Sequence, residues 1–227
     1  MKEILEYISP AAPQNLTEMA LAMQEAAIAH SKDLKIDHDR MLEEFGCLWM
    51  LVRYQLRMVR MPVGALRVET FLRSPNAAFS LRDFSFFDSL GPCGEAVQTW
   101  VVVDAAERKI RPLSDIPPLM AGPVPKPERS SRPRRFQLPE KMEVLGLWQV
   151  APEEIDDNGH LNNVAYVRAA AVYAPADCLS LEVTFERECF LGEKLTVKGL
   201  ATEEGYFVQI CKESGEESFR ALFRKEA

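Results

Sequence analysis

The chain lays down one pattern twice: an alanine-rich helix accompanied by short strand-like runs, with a proline-dense stretch between the two rounds. In the first round Asn15 and Glu18 have the spacing of a capping box. Leu16, Met19, Ala20, Met23, Ala27 and Leu34 follow at helical spacing, which predicts an amphipathic helix over Leu16 to Asp33. Runs rich in β-branched and aromatic residues come next, at Leu48 to Met61, Ala65 to Leu72, Phe79 to Asp88 and Glu95 to Val103. The turns between them, MPVG, RSPNA and DSLGPCG, hold the Pro, Gly, Asn and Asp of antiparallel hairpins. The second round predicts a strand at Met142 to Val150 and a helix at Leu161 to Tyr173, stopped by Pro175. Strands are then expected at Leu179 to Cys189, Lys194 to Ala201, Tyr206 to Lys212 and Ser218 to Arg224.

Eight of the fifteen prolines fall between Pro112 and Pro139, where apolar periodicity is weak, so this segment reads as an extended linker. The expected division is residues 1–110, a linker at 111–140, and residues 141–227. One alanine-rich helix wrapped by an antiparallel sheet, done twice, predicts an α+β chain of tandem double hot-dog architecture. Two unrelated α+β domains would share the same outline.

A formal net charge of -7 disfavours nonspecific binding to nucleic acid, which needs many cations against phosphate. An apolar run such as Cys47 to Val52 falls far short of the roughly 18 residues that a membrane span requires. The opening MKEILEYISPAAPQ lacks the apolar core and flanks of a secretory signal. Five cysteines without a C-x-x-C pair argue against a disulfide framework or a zinc ribbon. A reducing cytoplasm is therefore expected, with no metal and no cofactor.

Phosphate-binding loops, dinucleotide fingerprints, nucleophile elbows and zinc-protease motifs are absent from the sequence. What remains is the dense polar segment Asp156-Asp157-Asn158-Gly159-His160-Leu161-Asn162-Asn163, just ahead of the second helix. In an extended stretch Asp156, Asn158 and His160 would share one side, joining an acid, an amide and an imidazole. The helix start behind them could stabilise a carbonyl oxygen as it gains charge. The same residues could equally build a turn and cap a helix. Glu188 and Cys189 form the second candidate. Neighbours in a regular strand point to opposite faces, so only one of them can reach His160. Val183 and Phe185 share the parity of Cys189, which places the cysteine in the core and favours Glu188. His30 falls on the apolar face of the first helix and reads as a core residue, while His38 reads as solvated.

The stretch IDDNGHLNNVAYV, followed by LEVTFEREC, resembles the signature pair of the acyl-acyl carrier protein thioesterases of plant plastids and bacteria. LAMQEAAIAH, LWMLVRYQLRMVRMP, ETFLRSPNAAFSLRDFSFFD and TWVVVDAAERKIRPL extend the likeness over nearly the whole chain. The resemblance implies a thioester hydrolase of two tandem hot dogs that frees fatty acid from acyl carrier protein and so ends elongation. It implies an acyl chain held mainly in the N-terminal hot dog and chemistry in the C-terminal one. Carried over by motif position, the catalytic residues are Asp156, Asn158, His160 and Glu188. A papain-like alternative would use Cys189 with His160 and Asn158, which strand parity disfavours.

Between Arg108 and Lys141 nine basic residues face three acidic ones. Acyl carrier protein is acidic, so Arg129, Arg132, Arg134 and Arg135 are candidates for docking it. An acyl-CoA thioesterase and a noncatalytic acyl-ligand sensor are the alternatives. Two fused hot dogs fit a monomer, and a homodimer is equally allowed. The hydratase motif D-x-N-x-x-H holds its histidine one residue further on, which disfavours hydratase chemistry.

Overall fold

The computed structural model describes residues 4–73, 78–120 and 132–225. The strands are β1 (Leu5–Ile8), β2 (Cys47–Met58), β3 (Arg67–Leu72), β4 (Ser80–Asp88), β5 (Gly91–Asp104) and β6 (Ile110–Arg111), then β7 (Glu143–Gln149), β8 (Ser180–Phe185), β9 (Lys194–Thr202), β10 (Gly205–Lys212) and β11 (Glu217–Arg224). The α-helices are α1 (Leu16–Asp33), α2 (His38–Phe45), α3 (Pro117–Met120) and α4 (Asn163–Ala171). All the strands join one antiparallel sheet in the order β1-β3-β4-β5-β2-β8-β11-β10-β9-β7, with β6 beside β5. The sheet wraps around α1 and α4, the α+β hot-dog arrangement expected from the two rounds of helix and strands.

α1 starts at the expected Asn15 cap, with the Glu18 amide donating to Asn15 Oδ1 at 3.0 Å, while the Glu18 carboxylate accepts from the Gln14 amide at 2.7 Å instead of the Asn15 amide of a full capping box. Its buried face is Met19, Ala20, Ala22, Met23, Ala26 and Ala27, and the small side chains allow close packing on α4. The apolar core is continuous from Leu16 in α1 to Phe219 and Phe223 in β11. It passes through the β2–β8 pairing, where Tyr54 lies opposite Val183 and Leu56 opposite Leu181.

Three expectations change. α2 replaces the expected loop around His38: its HDRMLEEF sequence turns Met41 and Phe45 toward a second small core within a mostly charged segment, and Gly46 closes it with φ at 63°. The start of the proline-rich segment is folded rather than extended. Leu113 and Ile116 are buried with Ile36, Met41, Cys47 and Val102 in this second small core. β8 ends at Phe185 instead of Cys189, because the Glu186 and Arg187 amides both turn to the carbonyl of Ser218, at 2.8 and 3.2 Å, and the ladder breaks there.

At the end of β4 the covered carboxylate of Asp88 receives both terminal nitrogens of Arg60 and the amides of Val63 and Leu90, at 2.7 and 2.8 Å. The Arg60 hydrogen bonds, more than any other cause, hold the Asp88 carboxyl well below the usual carboxylate range. A folded-state value below the unfolded one stabilises above about pH 4, and the contribution is lost as pH falls toward the folded value. Thermal unfolding followed against pH should therefore drop more steeply below about pH 4 for the native chain than for Asp88→Asn. Parallel curves would contradict the linkage.

Candidate active site

The polar segment ahead of α4 folds into a tight turn closed by its own first acid. Ile155 and Leu161 pair as an isolated antiparallel bridge, and the Asp156 amide donates to the His160 carbonyl at 2.8 Å. Asp156 Oδ1 accepts from the amides of Asn158 and His160, at 2.9 and 3.1 Å. Gly159 takes φ of 77°, a left-handed value that a side chain would strain. Asn158 sits exposed at the tip, and His160 leaves the turn half-buried.

Behind the turn most donors of the helix start are already engaged. The Leu161 amide donates to the Cys189 carbonyl at 2.8 Å, and the Asn162 amide to the Glu154 carbonyl at 2.8 Å. Asn162 Oδ1 caps the Val164 amide at 2.8 Å. Among the described residues the Asn158 side-chain amide makes no hydrogen bond, whereas most amides at the helix start are taken. These contacts make Asp156 the residue that shapes the turn. Asp156→Ala should cost about 1 kcal/mol and lower turnover, whereas Asp156→Asn keeps the Oδ1 acceptor and should retain both. Urea denaturation beside steady-state kinetics checks this, and equal losses in the two variants would give the carboxylate itself a role.

Glu188 lies beyond the end of β8 and faces His160, with Oε1 at 3.6 Å from Nδ1. That is longer than a hydrogen bond, and contacts of this kind tighten when substrate closes a site. The Glu188 carboxylate also pairs with Arg108 through Oε2. Arg108 belongs to the hairpin between β5 and β6, where Asp104 Oδ1 holds the Ala106 and Glu107 amides and Arg108 itself takes φ of 56°. An arginine from the N-terminal strands thus positions a carboxylate at the C-terminal site. Phe190 completes the wall, packed edge-on to His160 at 5.3 Å between ring centres.

Cys189 points the other way. It is 0% exposed, its Sγ donates to Ser218 Oγ at 3.3 Å, and burial pushes its thiol above the ordinary value. A buried thiol held protonated is a poor nucleophile. Strand parity likewise placed Cys189 in the core, although the regular strand it assumed ends before either residue. Here the break in the ladder, together with the Leu161 amide on the Cys189 carbonyl, separates the two side chains.

Sequence reasoning brought Asp156, Asn158, His160 and Glu188 to one place and missed Arg108, which it grouped with the basic linker. The turn-forming Asp104 was the only local signal, and it says nothing about what the hairpin tip reaches. His30, expected in the core, is fully buried with Nδ1 at 2.9 Å from a terminal nitrogen of Arg82. Burial lowers the Arg82 guanidinium to about 9. Among the basic residues proposed for docking, Arg132 lies over the Phe79 ring at 3.7 Å, Arg134 is exposed, and Arg135 pairs with Glu186 at 2.7 Å. Arg129 lies outside the described residues. Among the described residues no cluster of three or more His, Cys, Asp or Glu could hold a metal ion. All five cysteines are free and buried, and no described helix is long and apolar enough to cross a membrane.

Residues 11–116 match the sequence profile of the acyl-ACP thioesterase N-terminal domain. No curated protein sequence matches the chain. Among solved structures, an acyl-ACP thioesterase from Bacteroides thetaiotaomicron superposes with a TM-score of 0.80 at 20% identity, covering 98% of this chain and 97% of that one. A putative oleoyl thioesterase from Lactobacillus plantarum gives 0.78 at 19% identity, with 99% and 97% covered. The 12:0-ACP thioesterase of Umbellularia californica gives 0.80 at 16% identity, again with 99% and 97% covered. Residues 11–116 are thus similar in sequence to the acyl-ACP thioesterase N-terminal domain, and almost the entire chain shares the fold of these solved thioesterases.

Proposed function

We propose that the protein hydrolyses the thioester of acyl carrier protein, releasing free fatty acid and ending chain elongation. The single observation that carries the reading is the Glu188 carboxylate held between Arg108 and His160, whose turn also carries the exposed Asn158. Glu188 takes a proton from water as the water oxygen bonds to the thioester carbonyl carbon. The Asn158 side-chain amide donates to the oxygen that becomes negative. When the tetrahedral species collapses, the C–S bond breaks and the thiolate recovers the proton through His160 or Glu188. A positioned base of this kind contributes about 10² to 10⁴ in rate. Asp156 contributes by holding the turn that presents Asn158 and His160.

In this reading residues 1–110 hold the acyl chain, residues 111–140 connect, and residues 141–227 carry the chemistry. Arg132, Arg134 and Arg135 attract the acidic carrier protein, an effect that salt screens. The free, buried cysteines suit a reducing cytoplasm.

Hydrolysis measured across acyl lengths, on carrier-protein and coenzyme A esters at low and high salt, tests the proposal. Faster, salt-sensitive turnover of the carrier-protein esters is expected. Preference for coenzyme A esters would make the protein an acyl-CoA thioesterase, and binding without turnover would make it a sensor.

A further inference from the structure

On the face of the sheet away from the helices, residues 132–136 cross the β2–β8 junction as a strap. Arg132 stacks on Phe79 at one end, and at the other Phe136 packs on Phe207 at 6.0 Å while its carbonyl accepts from Arg220 at 2.8 Å. Between these anchors lies a cleft of about 430 Å³ lined by Arg53, Arg132, Pro133, Arg134 and Arg135. Arg53 comes from β2 and forms its floor, in register with Thr99 of β5 on one side and Thr184 of β8 on the other.

The floor is unusual in what it lacks. Arg53 Nε is buried without a hydrogen-bond partner among the described residues, and so are the hydroxyls of Thr99 and Thr184, residues that are each 1% exposed. Burial, and then the Arg132 charge, push the Arg53 guanidinium below its ordinary value. Glu186, the nearby carboxylate that would favour its charge, is bound to Arg135 at 2.7 Å. Glu217 is bound to Arg220. Counting Arg53, Arg132, Arg134, Arg135 and Arg220 against Glu186 and Glu217 leaves the cleft with a surplus of three positive charges. A guanidinium fork with an unused Nε–H matches two oxygens of a tetrahedral oxyanion. The stack on Phe79 occupies the flat face of Arg132 and leaves its edge N–H groups for the same ligand.

We propose that this cleft binds a phosphate group, gripped by Arg53 at the floor and by Arg132 and Arg134 at the rim. It is a built site at the junction of the two rounds of the fold, separate from the Glu188–His160 chemistry and from general attraction of an acidic partner. The phosphate arrives either as part of a substrate's carrier group or as a free ion.

Titration of the full-length protein with inorganic phosphate, at ionic strength held constant with chloride and read by calorimetry and thermal shift, tests the site without reference to activity. Binding in the millimolar range or tighter is expected. Arg53→Lys, which keeps the charge and loses the fork, should weaken it about tenfold, the scale of one charged hydrogen bond. Arg134→Ala should weaken it several-fold from an exposed position that folding does not need, and Glu186→Gln should strengthen it. A thermal melt establishes that each variant is folded. Phosphate behaving as chloride does, or binding that survives Arg53→Lys while responding to Arg134→Ala, would overturn the proposal. Where binding holds, phosphate that raises KM for thioester substrate without changing kcat identifies a group carried by the substrate, and an unchanged KM identifies the free ion.

Discussion

Replacing Glu188 by Gln is expected to lower kcat on acyl thioesters by about 10² to 10⁴ while leaving the melting temperature in place. Gln keeps the shape and one acceptor oxygen but cannot accept a proton from water. The side chain is about one-third exposed and lies outside the core, so little stability rests on it. Cys189→Ala is the paired control. It removes a buried sulfur and its contact with Ser218, for about 1 kcal/mol of stability, and should leave most turnover intact. Steady-state kinetics on both variants decide the assignment. An inactive Cys189→Ala beside an active Glu188→Gln would transfer the chemistry to the thiol.

Phe219→Ala should cost about 3 to 5 kcal/mol in urea denaturation, the largest stability effect expected of a single truncation here. Phe219 is fully buried, stacks on Tyr166 of α4 at 5.4 Å and tilts against Phe185 of β8 at 5.3 Å. It therefore fixes the helix that follows the His160 turn to the strand that leads to Glu188. The neighbouring Ser218 holds both the break in β8 and the Cys189 thiol. Truncation should accordingly lower kcat as well as stability, since the two sides of the site lose their common backing. A loss below about 1 kcal/mol would mean that the surroundings collapse to fill the space.

The strands were legible because alternation and turn residues mark hairpins locally, and all nine predicted runs have counterparts within a few residues. α1 was legible through its capping-box spacing and alanine face. α2 was not, since its apolar spacing, Met41 and Phe45, spans a single turn inside a charged segment and is too short to stand out from a loop. Asp156, Asn158 and His160 stood out as an acid, an amide and an imidazole in one short segment, and Glu188 by strand parity and the resemblance; the structure sets His160 opposite Glu188. What the sequence hid is anything decided by a distant partner. Arg108 reaches Glu188 across 80 positions, and Arg53 meets Arg132 only because a strap crosses the sheet. The early end of β8 was equally hidden, because it depends on how Ser218 divides its carbonyl between two amides.

The β2–β8 pairing also determines how much raw sheet margin the molecule presents. Two separate sheets would have four outer strands; fused through β2 and β8 they have two, β1 and β7. β1 is only four residues long, and β7 is interrupted by a bulge between Val144 and Gly146. Short and irregular margins are poor templates for another chain, even though Val144 and Leu147 on β7 are 63% and 82% exposed. Loosening the junction would uncover two further margins at once, Arg53–Arg57 of β2 and Ser180–Thr184 of β8, so resistance to self-association depends on the middle of the sheet as well as on its ends.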